Sequence, residues 1–182
     1  MYYSIEKLED QPHLIDDTKE YLFKKIKDEF GLDYVPEYHY DIVDLEKTYI
    51  NPKRNSFYIA LNSNKEIIGT LGIRGYDKQF EFFKYKYNTN KTASLWRTYI
   101  DKEYKRHKIG TKLVQIAEDF AKDKQYEEIY LHTQKDLIEG YYFWSSLDYN
   151  KTYINDDTIH MEKKLKVLNV ENINRKIFAK TI

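Results

Sequence analysis

The stretch that decides the fold is LWRTYIDKEYKRHKIGTKLVQIAEDFAK, residues 95–122. Its first six residues are mostly aromatic, β-branched or otherwise bulky, which is typical of a strand. From about residue 108 to residue 122, apolar residues recur at spacings of three and four, which predicts an amphipathic helix. A turn rich in Lys and Arg lies between the two. The stretch therefore predicts a strand, a basic turn and a helix in direct succession.

The basic turn calls for an explanation, because the chain as a whole has a net charge of zero. Residues 102–112 hold five basic residues and one acidic residue, a net charge of +4. The first turn of a helix exposes unpaired N–H groups and the positive end of the helix dipole, so cations there do not stabilise the helix. A phosphate-type anion bound at the turn would account for them, and Gly110 would let it approach the backbone. A solvated basic turn without a ligand is the alternative, and the residues alone leave both open.

The segments around this unit predict a mixed sheet with helices. The predicted strands lie at residues 3–8, 56–61, 66–76, 93–100, 128–133, 151–155 and 158–165. A helix is predicted from about Leu14 to Phe30, where Gly31 ends it, and another carries Leu137 and Trp144 on one face. Residues 32–50 are interpreted as a loop with a short helix at 45–50. The pattern predicts an α/β (mixed α+β) fold, with a twisted mixed β-sheet flanked by helices on both faces.

These segments resemble the GCN5-related N-acetyltransferase (GNAT) family. Residues 95–122 are similar to its motif A, a strand followed by Gln/Arg-x-x-Gly-x-Gly/Ala and a helix. The hairpin before them, and EIYLHT (128–133), GYYFWSSLDY (140–149) and HMEKKL (160–165) after them, follow the family's order. The resemblance implies one GNAT-like domain over residues 1–165. Residues 166–182 form a tail beyond it, which would cover the core or a partner.

Three positions depart from the family's pattern. Lys105 stands at the family's Gln/Arg and Lys108 at its first Gly, so only Gly110 is retained. Trp144 stands where the family often has a Tyr that reprotonates the departing thiolate. An indole N–H does not release a proton near neutral pH, so Tyr141, three residues earlier on the same helix face, is the candidate acid.

The resemblance implies an N-acetyltransferase that uses acetyl-CoA as co-substrate and a primary amine as acceptor, by direct attack in a ternary complex. The residues expected to bind acetyl-CoA are Tyr99, Ile100, Lys105, Arg106, His107, Lys108, Ile109, Gly110, Thr111 and Trp144. Asp101, Glu103 and Glu139 are base candidates, with water as the alternative. A degenerate acyl-CoA-binding module on the same fold is the rival interpretation, because Trp144 replaces the usual Tyr.

The acceptor is predicted from the acidic segment, residues 28–46, which holds seven carboxylates and no Lys or Arg. In the resembled family this part of the chain commonly forms a wall of the acceptor site. Such a wall would attract a cationic amine and disfavour an anionic one. The seven carboxylates on a solvated face are the alternative.

Composition limits the other classes of function. Thirty acidic and thirty basic residues cancel, so nucleic acid and membrane partners are not expected, although the basic turn and the 19 Tyr keep a nucleic-acid alternative in view. The chain has no Cys, no long apolar run and no secretory signal pattern, so a cytoplasmic protein is expected and a homodimer is left open.

Several polar residues have structural interpretations beside the functional ones. The five His lack metal-ligand spacing, so no metal is expected, and His132 is interpreted as a packing residue. Arg97 is interpreted as a strand residue with a carboxylate partner. Asp136 stands where the family often has an Asn, but DLIE (136–139) is typical of a helix N-cap, and that is the interpretation preferred here.

Overall fold

The computed structural model describes residues 2–77 and 80–166, and the predicted tail therefore lies almost wholly outside the described residues. Seven strands form one sheet in the order β1-β2-β3-β4-β5-β7-β6. The strands are β1 (Tyr3–Lys7), β2 (Ser56–Asn62), β3 (Ile67–Gly75), β4 (Thr92–Ile100), β5 (Glu128–Gln134), β6 (Asn150–Ile154) and β7 (Thr158–Lys164). The α-helices are α1 (Ile15–Phe30), α2 (Pro36–Val43), α3 (Ile109–Asp123) and α4 (Ile138–Ser146). The predicted fold class and element order are confirmed.

The main difference from the sequence prediction lies between α1 and β2. Gly31 ends α1 with a φ of 66°, as predicted, but residues 36–43 then form α2 where a loop was predicted. Pro36 opens α2 at a position where a missing N–H costs nothing, and His39 and Ile42 are buried on one side of it. The predicted short helix at 45–50 is a π-helical turn, Glu46–Ile50.

The two faces of the sheet carry separate cores because side chains alternate along each strand. On one face, Leu95 and Leu131 pack with α3 and α4 in the largest cluster. On the other face, β2 packs against α1 and the segment that follows it. Next to this second core, residues 80–87 contribute an aromatic cluster around Tyr130. None of the helices in the described ranges has both the length and the apolar character that a membrane span requires.

The sheet opens between its two parallel strands. β4 and β5 pair only at Thr92–Ser94 against Glu128–Tyr130, although β4 continues for six more residues and β5 for four. Along the same part of β4, the pairing with β3 shifts by one residue, so two residues of β4 stand opposite one of β3. Arg97 lies at this bulge with a φ of 49°. The separation of the strands leaves a cleft in the middle of the sheet.

Candidate active site

The cleft between the diverging strands has a volume of about 1090 Å³. Strand alternation divides its lining into two halves. The half toward α3 and α4 is apolar, and Leu95, Leu131 and the nearly buried Trp144 line it. The half toward α1 and α2 is polar and aromatic, with lining residues that include Arg74, Trp96, Arg97 and His132. The cleft therefore brings an apolar surface and a polar surface together where the sheet separates.

A buried ion pair forms part of the polar half. The Arg97 guanidinium donates from Nε to Asp41 Oδ2 at 3.0 Å and from Nη2 to Asp41 Oδ1 at 2.6 Å, and it also bonds to the Tyr38 carbonyl. Tyr49 donates to Asp41 Oδ2 at 2.7 Å. Burial opposes ionisation of Asp41, but the bonds and charge of Arg97 outweigh it and hold the pKa of that carboxyl below its usual value. The interpretation of Arg97 as a strand residue with a carboxylate partner is confirmed, and the pair attaches α2 to the bulge of β4.

A second arginine lies in the same half of the cleft. The Arg74 guanidinium lies 4.1 Å from the centre of the Trp96 ring and donates to Asp77 at 2.9 Å. Only 5% of Arg74 is exposed. Both arginines of the cleft thus have a carboxylate partner.

The predicted phosphate turn begins after β4 and ends at the start of α3. Arg106 and Lys108 have φ values of 64° and 63°, the left-handed conformation that glycine favours. Lys108 stands at the family's first Gly, so the turn keeps that backbone shape without the glycine. The Lys112 N–H bonds to the Lys108 carbonyl at 2.9 Å, which leaves the N–H groups of residues 109–111 without a partner within the helix. These groups and the surrounding cations suit an anion.

Gly110 also has a packing role that the sequence did not predict. A Cβ atom at this position would lie 3.1 Å from Phe143 Cζ and 3.7 Å from Ile100 Cγ1. The missing side chain therefore lets α3 pack against α4 and the end of β4. That Gly110 also lets a phosphate approach the backbone stays a prediction.

Side chains around the turn stabilise its shape. Lys105 Nζ forms an ion pair with Glu139 of α4 at 3.0 Å, and this bond lowers the pKa of Glu139. His107 Nδ1 lies 2.9 Å from the Lys105 carbonyl. Lys105 and Glu139, predicted as a CoA contact and a base candidate, are thus partners of each other.

The remaining catalytic candidates do not line the cleft. Asp101 Oδ1 accepts a hydrogen bond from Tyr21 at 2.9 Å and pairs with Lys25 at 2.5 Å, both on α1. Glu103 is exposed on the turn. Tyr141 is half-buried and packs against the main core, whereas Trp144 of the same helix lines the cleft. Tyr99 lines the cleft, and the side chain of Ile100 points toward α3.

Two sequence interpretations are corrected here. Asp136 is not the N-cap of α4, because the helix begins at Ile138 after Leu137 and has no side-chain cap; Asp136 lines the cleft instead. The acidic segment does not form one wall, because only Glu29, Glu37 and Asp41 of its seven carboxylates line the cleft.

Arg74 and Trp96 are cleft residues that the sequence did not predict, and His132, interpreted as a packing residue, also lines the cleft. Trp96 lies on β4 just past its last pair with β5, and His132 holds the matching place on β5. Both residues could be identified if the position at which β4 and β5 stop pairing were known. No pattern in the sequence predicts that position.

The site thus combines a split sheet, a cleft at the split, and a basic turn that leads into the helix following the split strand. The sequence profile of the Acetyltransferase (GNAT) family matches residues 20–148, and the chain belongs to this family. In residues 2–77 and 80–166, no group of three His, Asp or Glu side chains is arranged to hold a metal ion.

Human N-acetyltransferase 8 is 25% identical over 112 residues, which are 62% of this chain and 46% of that protein. The chain thus spans about half the length of this curated relative. Among solved structures, a GNAT acetyltransferase from Staphylococcus aureus Mu50 has a TM-score of 0.74 at 22% identity, covering 91% of this chain and all of the other. PaiA N-acetyltransferase from Thermoplasma acidophilum, solved in complex with coenzyme A, has a TM-score of 0.64 at 20% identity, with 90% and 99% covered. These structures share the fold.

Proposed function

We propose that the protein transfers the acetyl group of acetyl-CoA to a primary amine by direct attack in a ternary complex. The observation that carries the proposal is the split between β4 and β5 beside the N-terminus of α3. Tyr99 lines the cleft, and the next residue, Ile100, lies against the first turn of α3. A thioester in the cleft and a pyrophosphate on the turn therefore fit one extended ligand.

In this proposal the chain binds acetyl-CoA mostly through its backbone. The pyrophosphate accepts hydrogen bonds from the N–H groups of residues 106–111, and the thioester carbonyl accepts from the end of β4 at Tyr99 and Ile100. Lys105, Arg106 and Lys108 add positive charge around the phosphates. Trp144 lies along the thioester arm on the apolar half of the cleft. Backbone donors explain how the turn would function with Lys108 at a family glycine.

The Thr111→Pro variant tests the phosphate site. Thr111 is the third residue of α3, where proline removes an N–H that has no partner within the helix, and the preceding Gly110 has no Cβ to clash with the ring. We expect acetyl-CoA affinity to fall about tenfold, the loss of one charge-assisted hydrogen bond, with little change in melting temperature. Thr111→Ala is the matched control that keeps the N–H. Equal affinity in both variants, measured by calorimetry, would place the phosphates elsewhere.

For proton transfer we propose Tyr141 as the acid that protonates the thiolate of CoA. We expect Tyr141→Phe to lower turnover about 10²–10⁴-fold while acetyl-CoA affinity stays constant. Turnover at the wild-type rate would leave Tyr141 as a core aromatic. Asp101 and Glu103 remain base candidates, with water as the alternative. The ion pair of Asp101 with Lys25 favours water, because it engages that carboxylate. Asp101→Asn and Glu103→Gln separate these routes, since only a base would lower turnover when replaced.

We propose a cationic acceptor. Five carboxylates line the cleft, namely Glu29, Glu37, Asp41, Asp136 and Asp157, against three cations, Arg74, Arg97 and Lys135. Arg97 and Asp41 pair with each other, and Arg74 is bonded to Asp77 outside this set, so four carboxylates stand against Lys135 and the surplus charge of the cleft is negative. Rates with 1,4-diaminobutane, 4-aminobutan-1-ol and 4-aminobutanoate compare a cationic, a neutral and an anionic substituent on one chain length. We expect the diamine to react fastest and salt to reduce its advantage; equal rates would refute a charge preference.

A catalytically degenerate acyl-CoA-binding module is the second candidate, favoured by Trp144 at the position of the usual Tyr. It predicts acetyl-CoA binding without release of CoA in the presence of any amine of a broad panel. A thiol assay run on protein shown by calorimetry to bind acetyl-CoA decides between the two.

A further inference from the structure

His132 lies where the sheet separates. The last paired residues of the parallel strands are Ser94 and Tyr130, and His132 is two positions further along β5. Alternation places its side chain on the α1 and α2 side, with Trp96, in the polar half of the cleft. Its ring centroid lies 5.4 Å from that of Trp96 and 5.4 Å from that of Phe80, edge to face with both.

These contacts explain why an aromatic ring lies at this position, but they do not explain why the ring carries two nitrogen atoms. His132 Nδ1 is buried and has no hydrogen-bond partner among the described residues, and the ring makes no other hydrogen bond there. His132 lines the cleft, and Nδ1 is the ring nitrogen that is buried without a partner, which leaves Nε2 as the nitrogen available to the cleft. A phenylalanine would make the same edge-to-face contacts without the destabilising burial of an unpaired polar atom.

The surroundings keep the imidazole neutral. Burial, followed by the proximity of His160 and then the positive charges of Arg97 and Arg74, lowers the pKa of His132 to about 4. The carboxylates of Asp41 and Asp77 are bonded to these arginines and do not reverse the effect. A neutral imidazole keeps one nitrogen lone pair free to accept a hydrogen bond at physiological pH.

We infer that His132 Nε2 accepts a hydrogen bond from the amino group of the acceptor and so orients it in the cleft. The inference rests on the proposed function. If the polar half holds the amine through one of its N–H bonds, the nitrogen lone pair is left free. That lone pair can then point toward the apolar half, where the thioester would lie. His132 then positions the nucleophile without itself taking its proton.

His132→Phe and His132→Gln test this role. The phenylalanine variant keeps the edge contacts and removes both nitrogens, and the glutamine variant restores a hydrogen-bond acceptor. We expect His132→Phe to lower kcat/KM for 1,4-diaminobutane about 10- to 100-fold, mainly through KM, with acetyl-CoA affinity and melting temperature close to wild type. The glutamine variant should recover part of the loss. His160→Phe is the control, because His160 lies beside His132 at 6.0 Å but does not line the cleft.

A binding measurement separates failure of this inference from failure of the proposed function. Diaminobutane is titrated into the CoA-bound protein by calorimetry, which needs no turnover. Weaker binding to His132→Phe than to the wild type supports the contact even if no acetyl transfer occurs. Equal binding to both, no binding to either, or an unchanged kcat/KM in an active enzyme overturns it. Wild-type protein that binds acetyl-CoA without turnover would refute the proposed function alone.

Discussion

The Asp41→Leu substitution removes a carboxylate on which two nitrogens of Arg97 and the hydroxyl of Tyr49 converge. Asp41 is 1% exposed and the Arg97 side chain 12%, so the guanidinium left without its partner would be poorly hydrated in place. Breaking a buried pair by removing one partner costs about 3–5 kcal/mol. For a chain of this size that corresponds to a fall in melting temperature of roughly 6–20 °C.

Equilibrium urea unfolding at pH 7, followed by circular dichroism, measures this cost. Asp33→Leu is the matched control in the same acidic segment, because Asp33 pairs with Lys27 on the surface and should cost no more than about 1 kcal/mol. The double variant Asp41→Leu/Arg97→Met replaces both charges by apolar groups. It should recover most of the loss, because the penalty comes from the charge left alone.

Two outcomes would refute the reasoning. If Asp41→Leu costs no more than Asp33→Leu, the pair behaves as a solvated one. If the losses of Asp41→Leu and of Arg97→Met, each measured alone, simply add in the double variant, the two side chains are not energetically coupled. A weaker interaction of Asp41→Leu with the amine, at unchanged acetyl-CoA affinity, would further show that the pair holds α2 as a wall of the acceptor half.

Two other predictions concern stability. Burial first, and then the charge of Lys86, lowers the pKa of His160 from 6.5 to about 4. Between these two pH values the folded state binds fewer protons than the unfolded state. The stability that His160 contributes above pH 6.5 is therefore lost as the pH falls toward 4. In His160→Phe we expect this acid-induced loss of stability to be smaller by about 3 kcal/mol. Unfolding measured at pH 7, 5.5 and 4.5 would then show a free energy of unfolding that depends less on pH than in the wild type. The same pH dependence in both proteins would contradict the prediction. Gly110→Trp places an indole where Phe143 and Ile100 lie, so we expect about 3 kcal/mol of destabilisation by overpacking. Wild-type melting with loss of acetyl-CoA binding would contradict this and favour the role of Gly110 in ligand approach.

Most of the fold could be predicted because its helices and strands have a clear hydrophobic period and end at residues, such as glycine, that favour one particular backbone conformation. The stripe of α3, the Gly31 end of α1 and the β2–β3 hairpin are examples. α2 was missed because its eight residues are too short for a clear helical period and carry several charged and aromatic side chains. The end of β4 beside the basic turn was likewise predictable, since both lie in one continuous segment.

The polar half of the cleft could not be predicted in the same way. Asp41 and Arg97 lie 56 residues apart, and His132 approaches Trp96 only because β5 lies beside β4. Such pairs depend on tertiary placement. Asp136 shows the converse error: its local pattern fits a capping box, but α4 begins two residues later and the side chain goes to the cleft.

The bulge in β4 decides which residues face which half of the site. Leu95 and Trp96 alternate normally, toward α3 and toward α1 respectively. Strict alternation would then direct Tyr99 toward α3 and Ile100 toward α1, but the extra residue at Arg97 reverses the order. Tyr99 consequently faces α1 and lines the cleft, whereas Ile100 packs against Gly110 at the start of α3. The same left-handed residue carries the guanidinium that binds Asp41 of α2. A one-residue irregularity therefore turns Arg97 and Tyr99 toward the proposed acceptor side of the sheet and Ile100 toward the start of α3, so the proposed amine and acetyl-CoA sites would meet at this point of the strand.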